Sequence, residues 1–192
     1  PRKGGIYAIE IRDNDELIQA KVSHGCQDII LATFSGKSIR FNENDVRGTG
    51  RKTMGVRGIR LGIKDDYVIG MLIVKREGSV MVVTNKGYGK RSDLSEYRTQ
   101  KRGGKGVITI KTTKKVGNLI GIMEAIDEDD IMLITDRGIM IRQPVSNIRT
   151  IGRNTQGVRL AKLDDKTYIT SATRVLKEDE DNEEEETPEP EE

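Results

Sequence analysis

A motif that returns at a fixed interval governs what this chain can fold into. Ile30-Leu31-Ala32-Thr33-Phe34-Ser35-Gly36, Met81-Val82-Val83-Thr84-Asn85-Lys86-Gly87 and Met132-Leu133-Ile134-Thr135-Asp136-Arg137-Gly138 share one pattern. Threonine falls at 33, 84 and 135 and glycine at 36, 87 and 138, a step of 51 residues both times. A second landmark follows in each unit: Gly58-Ile59-Arg60-Leu61, Gly106-Val107-Ile108-Thr109 and Gly157-Val158-Arg159-Leu160. Gly5-Ile6-Tyr7-Ala8 matches that landmark without a first half before it. The chain therefore reads as a half-unit followed by three full units. Self-similarity on this scale marks an array whose core lies between neighbouring units.

Each unit reads as β. Ile29 to Phe34 is a short, β-branched run ending at the Ser35-Gly36 turn and followed by Lys37 to Phe41. Another strand is expected near Gly58. Tyr67 to Val74, Asn118 to Ala125 and Tyr168 to Val175 supply further apolar runs. About four strands per unit of roughly 50 residues is the size of a propeller blade. No segment sustains helical periodicity. The N-terminal half-unit implies either a strand exchanged between blades or a piece of a longer array.

The formal charge of +2 on 192 residues averages two unlike objects. Residues 177–192 hold eleven carboxylates, one lysine and no apolar side chain, a net of −10, and are expected to be disordered. Residues 1–176 hold 32 basic and 20 acidic side chains, a net of +12, which points to a polyanionic partner. The tail is thereby expected to compete with such a partner for the basic body. Lone Cys26 rules out an internally disulfide-stapled scaffold. No apolar run approaches the roughly 18 residues needed to cross a bilayer, so the cytoplasm is the expected compartment and no membrane partner is expected.

In register, the arginines form three columns: Arg40, Arg91 and Arg142; Arg47, Arg98 and Arg149; Arg51, Arg102 and Arg153. Equivalent positions in an array of rotated blades share a face or rim, so the columns draw a positive stripe suited to a phosphate backbone. Asp45 and Glu96 sit beside the second column as possible ion partners, but exposed pairs contribute only about 0–1 kcal/mol. Gln100-Lys101-Arg102-Gly103-Gly104-Lys105-Gly106 packs three cations and three glycines into seven residues. Glycine permits close backbone approach and Arg and Lys neutralise phosphates. The spacing is not that of a nucleotide-binding P-loop.

This heptapeptide resembles the gyrase box of the C-terminal DNA-wrapping domain of the DNA gyrase A subunit, part of a type IIA topoisomerase. Asn85-Lys86-Gly87-Tyr88-Gly89-Lys90-Arg91, Gly55-Val56-Arg57-Gly58-Ile59-Arg60-Leu61 and Gly152-Arg153-Asn154-Thr155-Gln156-Gly157-Val158 are similar to that domain's later blades. The resemblance covers nearly all of residues 1–176 and extends to the acidic tail. It implies an all-β fold, a propeller-like β-pinwheel of four-stranded blades with exchanged strands. It implies double-stranded DNA bent around the outer rim, with Lys101, Arg102 and Lys105 on phosphates. The family domain usually has six blades with the box in the first, so these units resemble the C-terminal blades only. Partners implied are the remaining domains of the gyrase A subunit and the gyrase B subunit. ATP and magnesium would serve other parts of the enzyme, with no cofactor in this chain.

No catalytic constellation emerges from the residues. His24 is the only histidine and reads as a loop residue, and none of the five tyrosines has the setting of a DNA-cleaving nucleophile. The chain itself is expected to be non-catalytic and to contribute to negative supercoiling by the whole enzyme. Two alternatives stand beside this reading. One is the equivalent domain of topoisomerase IV, whose box is degenerate. The other is a protein-interaction propeller whose loops bind an acidic partner.

Overall fold

A computed structural model describes residues 4–176. The acidic tail, 177–192, lies outside the described residues. The described chain is all-β, built from three antiparallel sheets. Each repeat unit opens with a hairpin. β1 (Asp28–Thr33) pairs with β2 (Lys37–Asn42), β4 (Ser79–Thr84) with β5 (Tyr88–Asp93), and β8 (Asp130–Thr135) with β9 (Met140–Pro144). A late strand of the same unit then returns to the first. β3 (Val68–Ile73) pairs with β1, β7 (Leu119–Ala125) with β4, and β11 (Ile169–Val175) with β8. The short apolar runs seen in the sequence are these strands, displaced by a residue or two at their ends.

The fourth strand of each complete sheet comes from the next unit. β6 (Val107–Ile108) follows the glycine-rich heptapeptide and pairs with β2 of the preceding unit, Lys37 opposite Ile108. β10 (Val158–Arg159) likewise pairs with β5, Val158 opposite Gly89. The sheet orders are β3-β1-β2-β6, β10-β5-β4-β7 and β11-β8-β9. Gly58 to Leu61, where a strand was expected, forms none. Its sisters become strands only by pairing with a preceding hairpin, and among the described residues none precedes β1. The same holds for Gly5 to Ala8.

Exchange explains where the core sits. Ile30, Ala32 and Leu72 of the first sheet pack with Val80, Val82, Tyr97, Ile110, Val116 and Leu119 of the second unit. Met81, Val83 and Ala125 pack with Ile131, Leu133, Val145, Ile148, Ala161 and Ile169 of the third. Both of these clusters span two units, as a repeat array requires, while a third, of Ile39, Phe41 and Ile59, lies within the first unit. With no tryptophan and few aromatics, Ile, Val, Leu and Met fill it. Tyr97 is the largest fully buried side chain, and its hydroxyl shares a 2.7 Å hydrogen bond with Thr109.

Candidate nucleic-acid interface

The second arginine column is presented by a repeated local device. β2, β5 and β9 each run into a single-turn 3-10 helix: Glu43–Asp45, Leu94–Glu96 and Val145–Asn147. Asn42 and Asp93 cap the first two, accepting hydrogen bonds from the backbone of Asn44 and Ser95. One residue past each turn an apolar side chain follows: Val46, Tyr97 or Ile148. Tyr97 and Ile148 are buried, which fixes the chain immediately before Arg98 and Arg149. Arg47, Arg98 and Arg149 are all exposed, each two residues past its unit's 3-10 turn. None joins an ion pair among the described residues. Asp45 and Glu96, expected as their partners, form no ion pair with them: the Asp45 carbonyl accepts from Arg102, and Glu96 accepts from Arg153 through its carbonyl and its carboxylate.

The first column is engaged in ion pairs within the chain, although Arg142 remains exposed. Arg40 pairs with Asp28 at 2.7 Å and donates to the carbonyls of Leu94 and Tyr97 in the next unit. Arg142 pairs with Asp130 at 2.7 Å. Ser79 occupies the position equivalent to those aspartates, so Arg91 reaches instead to Asp127 and to the carbonyl of Ile148. These guanidiniums tie each hairpin to its own first strand or to its neighbour.

Two members of the third column brace the exchanged loops. Arg102 donates to the carbonyl of Asp45 at 3.0 Å and to that of Arg57 at 2.5 Å. Arg153 repeats the arrangement one unit later, onto the carbonyls of Glu96 at 3.1 Å and Ile108 at 2.8 Å. A Glu96 carboxylate oxygen also accepts from the backbone N–H of Arg153 at 2.8 Å. Arg51 is exposed. A guanidinium holding two carbonyls still carries its charge, so the brace leaves a half-buried positive centre in each loop.

The heptapeptide lies along the outer edge of the first sheet. Gln100 enters by donating its N–H to the carbonyl of Arg40 at 2.8 Å, and its side-chain amide nitrogen is buried without a partner. Gly103 donates to Gly58 at 2.7 Å and Gly104 accepts from Arg60 at 2.8 Å, so the loop is seated on the preceding unit's landmark. Gly106 has φ +69°, and a Cβ there would collide with the Ser38 carbonyl oxygen. Only glycine permits this approach. Arg102, Gly103, Gly104 and Gly106 are half-buried, whereas Lys101 and Lys105 are exposed on either side of the brace. Arg57 and Arg60 are exposed beside them.

One buried charge beside the interface escaped the sequence reading. Lys90 is fully buried, and its Nζ donates to the carbonyl of Gly152 at 2.5 Å in the loop equivalent to the heptapeptide. Burial lowers its pKa to about 8, partly opposed by Glu96 and reinforced by Arg153. The available signal was that the equivalent positions, 51 residues either side, are Ile39 and Ile141. Elsewhere, His24 and Cys26 are exposed loop residues, and no group of His, Cys, Asp and Glu able to hold a metal ion occurs among the described residues. No described helix is long and apolar enough to cross a membrane.

Residues 27–75, 78–124 and 129–175, one segment per unit, match the family model described as DNA gyrase C-terminal domain, beta-propeller. The chain belongs to this family. The DNA gyrase A subunit of Haemophilus influenzae is 38% identical over 209 residues, covering 95% of this chain and 24% of the relative. The DNA gyrase A subunit of Escherichia coli K12 is 41% identical over 174 residues, covering 91% of this chain and 20% of the relative. The chain thus spans a fifth to a quarter of these curated relatives. A solved DNA gyrase A C-terminal domain superposes with TM-score 0.83 at 28% identity, over 91% of this chain and 59% of that one. The C-terminal domain of a DNA topoisomerase IV superposes with TM-score 0.82 at 24% identity, over 88% of this chain and 53% of that one, a likeness of fold. The exchanged-strand array is therefore the gyrase A β-pinwheel.

Proposed function

We propose that this chain binds double-stranded DNA and bends it around its outer rim, as the wrapping module of a DNA gyrase. The carrying observation is the second column: Arg47, Arg98 and Arg149 are exposed, lack ion partners among the described residues and recur at the same place in every unit. Lys101 and Lys105 extend that positive track along the edge of the first sheet. DNA has a persistence length of about 150 bp, so a tight bend costs on the order of 1–6 kcal/mol. Several phosphate contacts on a rigid curve offset that cost without reading sequence.

In this reading the chain carries no chemistry of its own. It would operate in the cytoplasm beside the other domains of the gyrase A subunit and the gyrase B subunit. Those parts would use ATP and magnesium to convert the wrap into negative supercoils. The intact heptapeptide supports gyrase over topoisomerase IV. The unpaired state of the second column supports a polyanion over a protein surface that would supply scattered carboxylates.

The test is a short duplex with a fluorophore at each end, titrated with the 192-residue chain across a salt series. Binding should weaken steeply with salt and draw the ends together. Replacing Arg47, Arg98 and Arg149 by Gln should flatten the log–log salt slope by about 0.9 for each phosphate no longer neutralised, and should relax the bend. An unchanged slope and end-to-end distance would remove DNA from the second column.

A further inference from the structure

The last strand of each unit forms the edge of its sheet away from the exchanged loops. These strands are β3, β7 and β11, with β1, β4 and β8 between them and β2, β5 and β9. β7 lies against both β3 and β11, and the three enclose a cavity of about 400 Å³. Gln19 and Lys21, from the irregular segment before β1, complete its wall. Gln19 is seated by its amide oxygen, which accepts from the N–H of Met71 in β3 at 2.8 Å. Three cations line the cavity, one from each side: Lys21, Lys75 just past β3, and Arg174 of β11. Arg174 is not a by-product of the repeat. Ile73, Glu124 and Arg174 share one register position, opposite Ile29, Val80 and Ile131.

The carboxylates nearby are already committed. Glu124 Oε1 accepts from the N–H groups of Lys75 and Arg76 at 3.0 and 2.9 Å, and its Oε2 from the Arg76 guanidinium at 3.2 Å. The buried Asp129 holds the other end of that guanidinium at 2.7 Å and accepts from the N–H of Ile126 at 3.1 Å. Arg174 reaches Asp129 only at 3.9 Å. Lys21 and Lys75 join no ion pair among the described residues. Lys21, Lys75, Arg76 and Arg174 thus stand against Glu124 and Asp129, a net of +2. The Lys21 ammonium registers this imbalance. Burial draws its pKa below the ordinary lysine value, although the residue as a whole keeps solvent exposure, and the charges of Lys75 and Arg174 draw it further while Glu124 opposes them.

We infer that Lys21, Lys75 and Arg174 form a binding site for a small polyvalent oxyanion of the phosphate class, in the cavity between β3, β7 and β11. Two ammonium groups and a guanidinium, converging where the carboxylates are held by Arg76, are the donors such an anion needs. An oxyanion of about two negative charges balances the site. Partial withdrawal from water strengthens each of these contacts relative to an open surface. The Gln19 NH2, left over once its oxygen is bound, adds a neutral donor. A space of about 400 Å³ admits a free diphosphate or the same group carried on a nucleoside. The site shares no residue with the arginine column or the heptapeptide, so it stands whether or not the DNA reading does.

The experiment titrates the 192-residue chain with inorganic pyrophosphate, and separately with ADP, by calorimetry near physiological salt. One saturable site is expected. Replacing Lys21 and Lys75 together by Gln should weaken it by about tenfold or more, as the loss of charge-assisted bonds requires. Both lysines are exposed, so an unchanged thermal midpoint is expected and shows that the fold persists. The variant with Gln at positions 47, 98 and 149 should bind pyrophosphate as the parent does. Pyrophosphate binding without ADP binding assigns the site to a free anion, and equal binding of both assigns it to a phosphate group that a nucleoside can carry. The inference is overturned if neither probe saturates, if the Lys21 and Lys75 variant binds as tightly as the parent, or if binding is lost instead in the variant at 47, 98 and 149. That last result would place the anion on the arginine column.

Discussion

Lys90 stands where the sister units place an isoleucine, and its burial has a pH signature. Desolvation holds its pKa at about 8, below the ordinary lysine value of 10.5, so the unfolded chain binds this proton more tightly. Stability contributed at this site therefore rises as pH increases from about 8 towards 10.5, because deprotonation removes a buried charge. Lys90→Ile should abolish that rise. At pH 7 it should leave stability within about 1 kcal/mol, since it fills the space as its sisters do and removes the cost of burying a charge. Gly152 would keep the 2.9 Å hydrogen bond donated by the Thr155 hydroxyl. Urea denaturation of both proteins at pH 7 and near pH 10 measures this. An alkaline rise that survives the substitution would place its origin elsewhere.

The exchanged loop is the element on which structure and site meet. Gly106 and Gly157 each let a loop drop onto the preceding hairpin, where a Cβ would strike the Ser38 or the Gly89 carbonyl oxygen. Gly106→Ala should cost more than about 2 kcal/mol, combining left-handed strain with the clash. Gly104→Ala, whose Cβ would meet nothing nearer than 3.3 Å, should cost about 1 kcal/mol or less. Equilibrium denaturation distinguishes them, and equal losses would mean that the loop's seat matters less than its flexibility. The 51-residue period made the hairpins and the loop positions legible, because threonine, glycine and arginine recur in phase. It did not separate the roles of the arginines, because a bracing and a solvent-facing guanidinium share one periodicity. A partial clue existed: Asp28 precedes Arg40, and Asp130 precedes Arg142, by the same 12 residues. The braces on Asp45 and Glu96 left no such trace, since their acceptors are backbone carbonyls that any residue supplies. Gly58 failed as a strand for a related reason: its pairing partner would come from another unit.

At the scale of the whole molecule, two opposed charges decide how strongly a rigid rim meets DNA. Residues 1–176 carry +12, and residues 177–192 carry −10 on the same chain. β11 ends at Val175, so the acidic run is covalently attached next to the third sheet and meets the basic body at a high effective concentration. On the proposed DNA reading, its carboxylates would compete with phosphates for the same arginines and lysines. The screening length falls from about 30 Å at 0.01 M salt to about 8 Å at 0.15 M, so this competition is strongest at low ionic strength. Removing residues 177–192 should therefore tighten duplex binding most at low salt, with the two affinities converging as salt is raised. The truncated chain should also show the steeper salt slope, because its phosphate contacts no longer displace carboxylates already seated on the body. Titration of a labelled duplex with residues 1–176 and with residues 1–192 over the same salt series measures both effects. Equal affinity at the lowest salt would show that the acidic run does not occupy the rim, and would leave the body's charge wholly available to DNA.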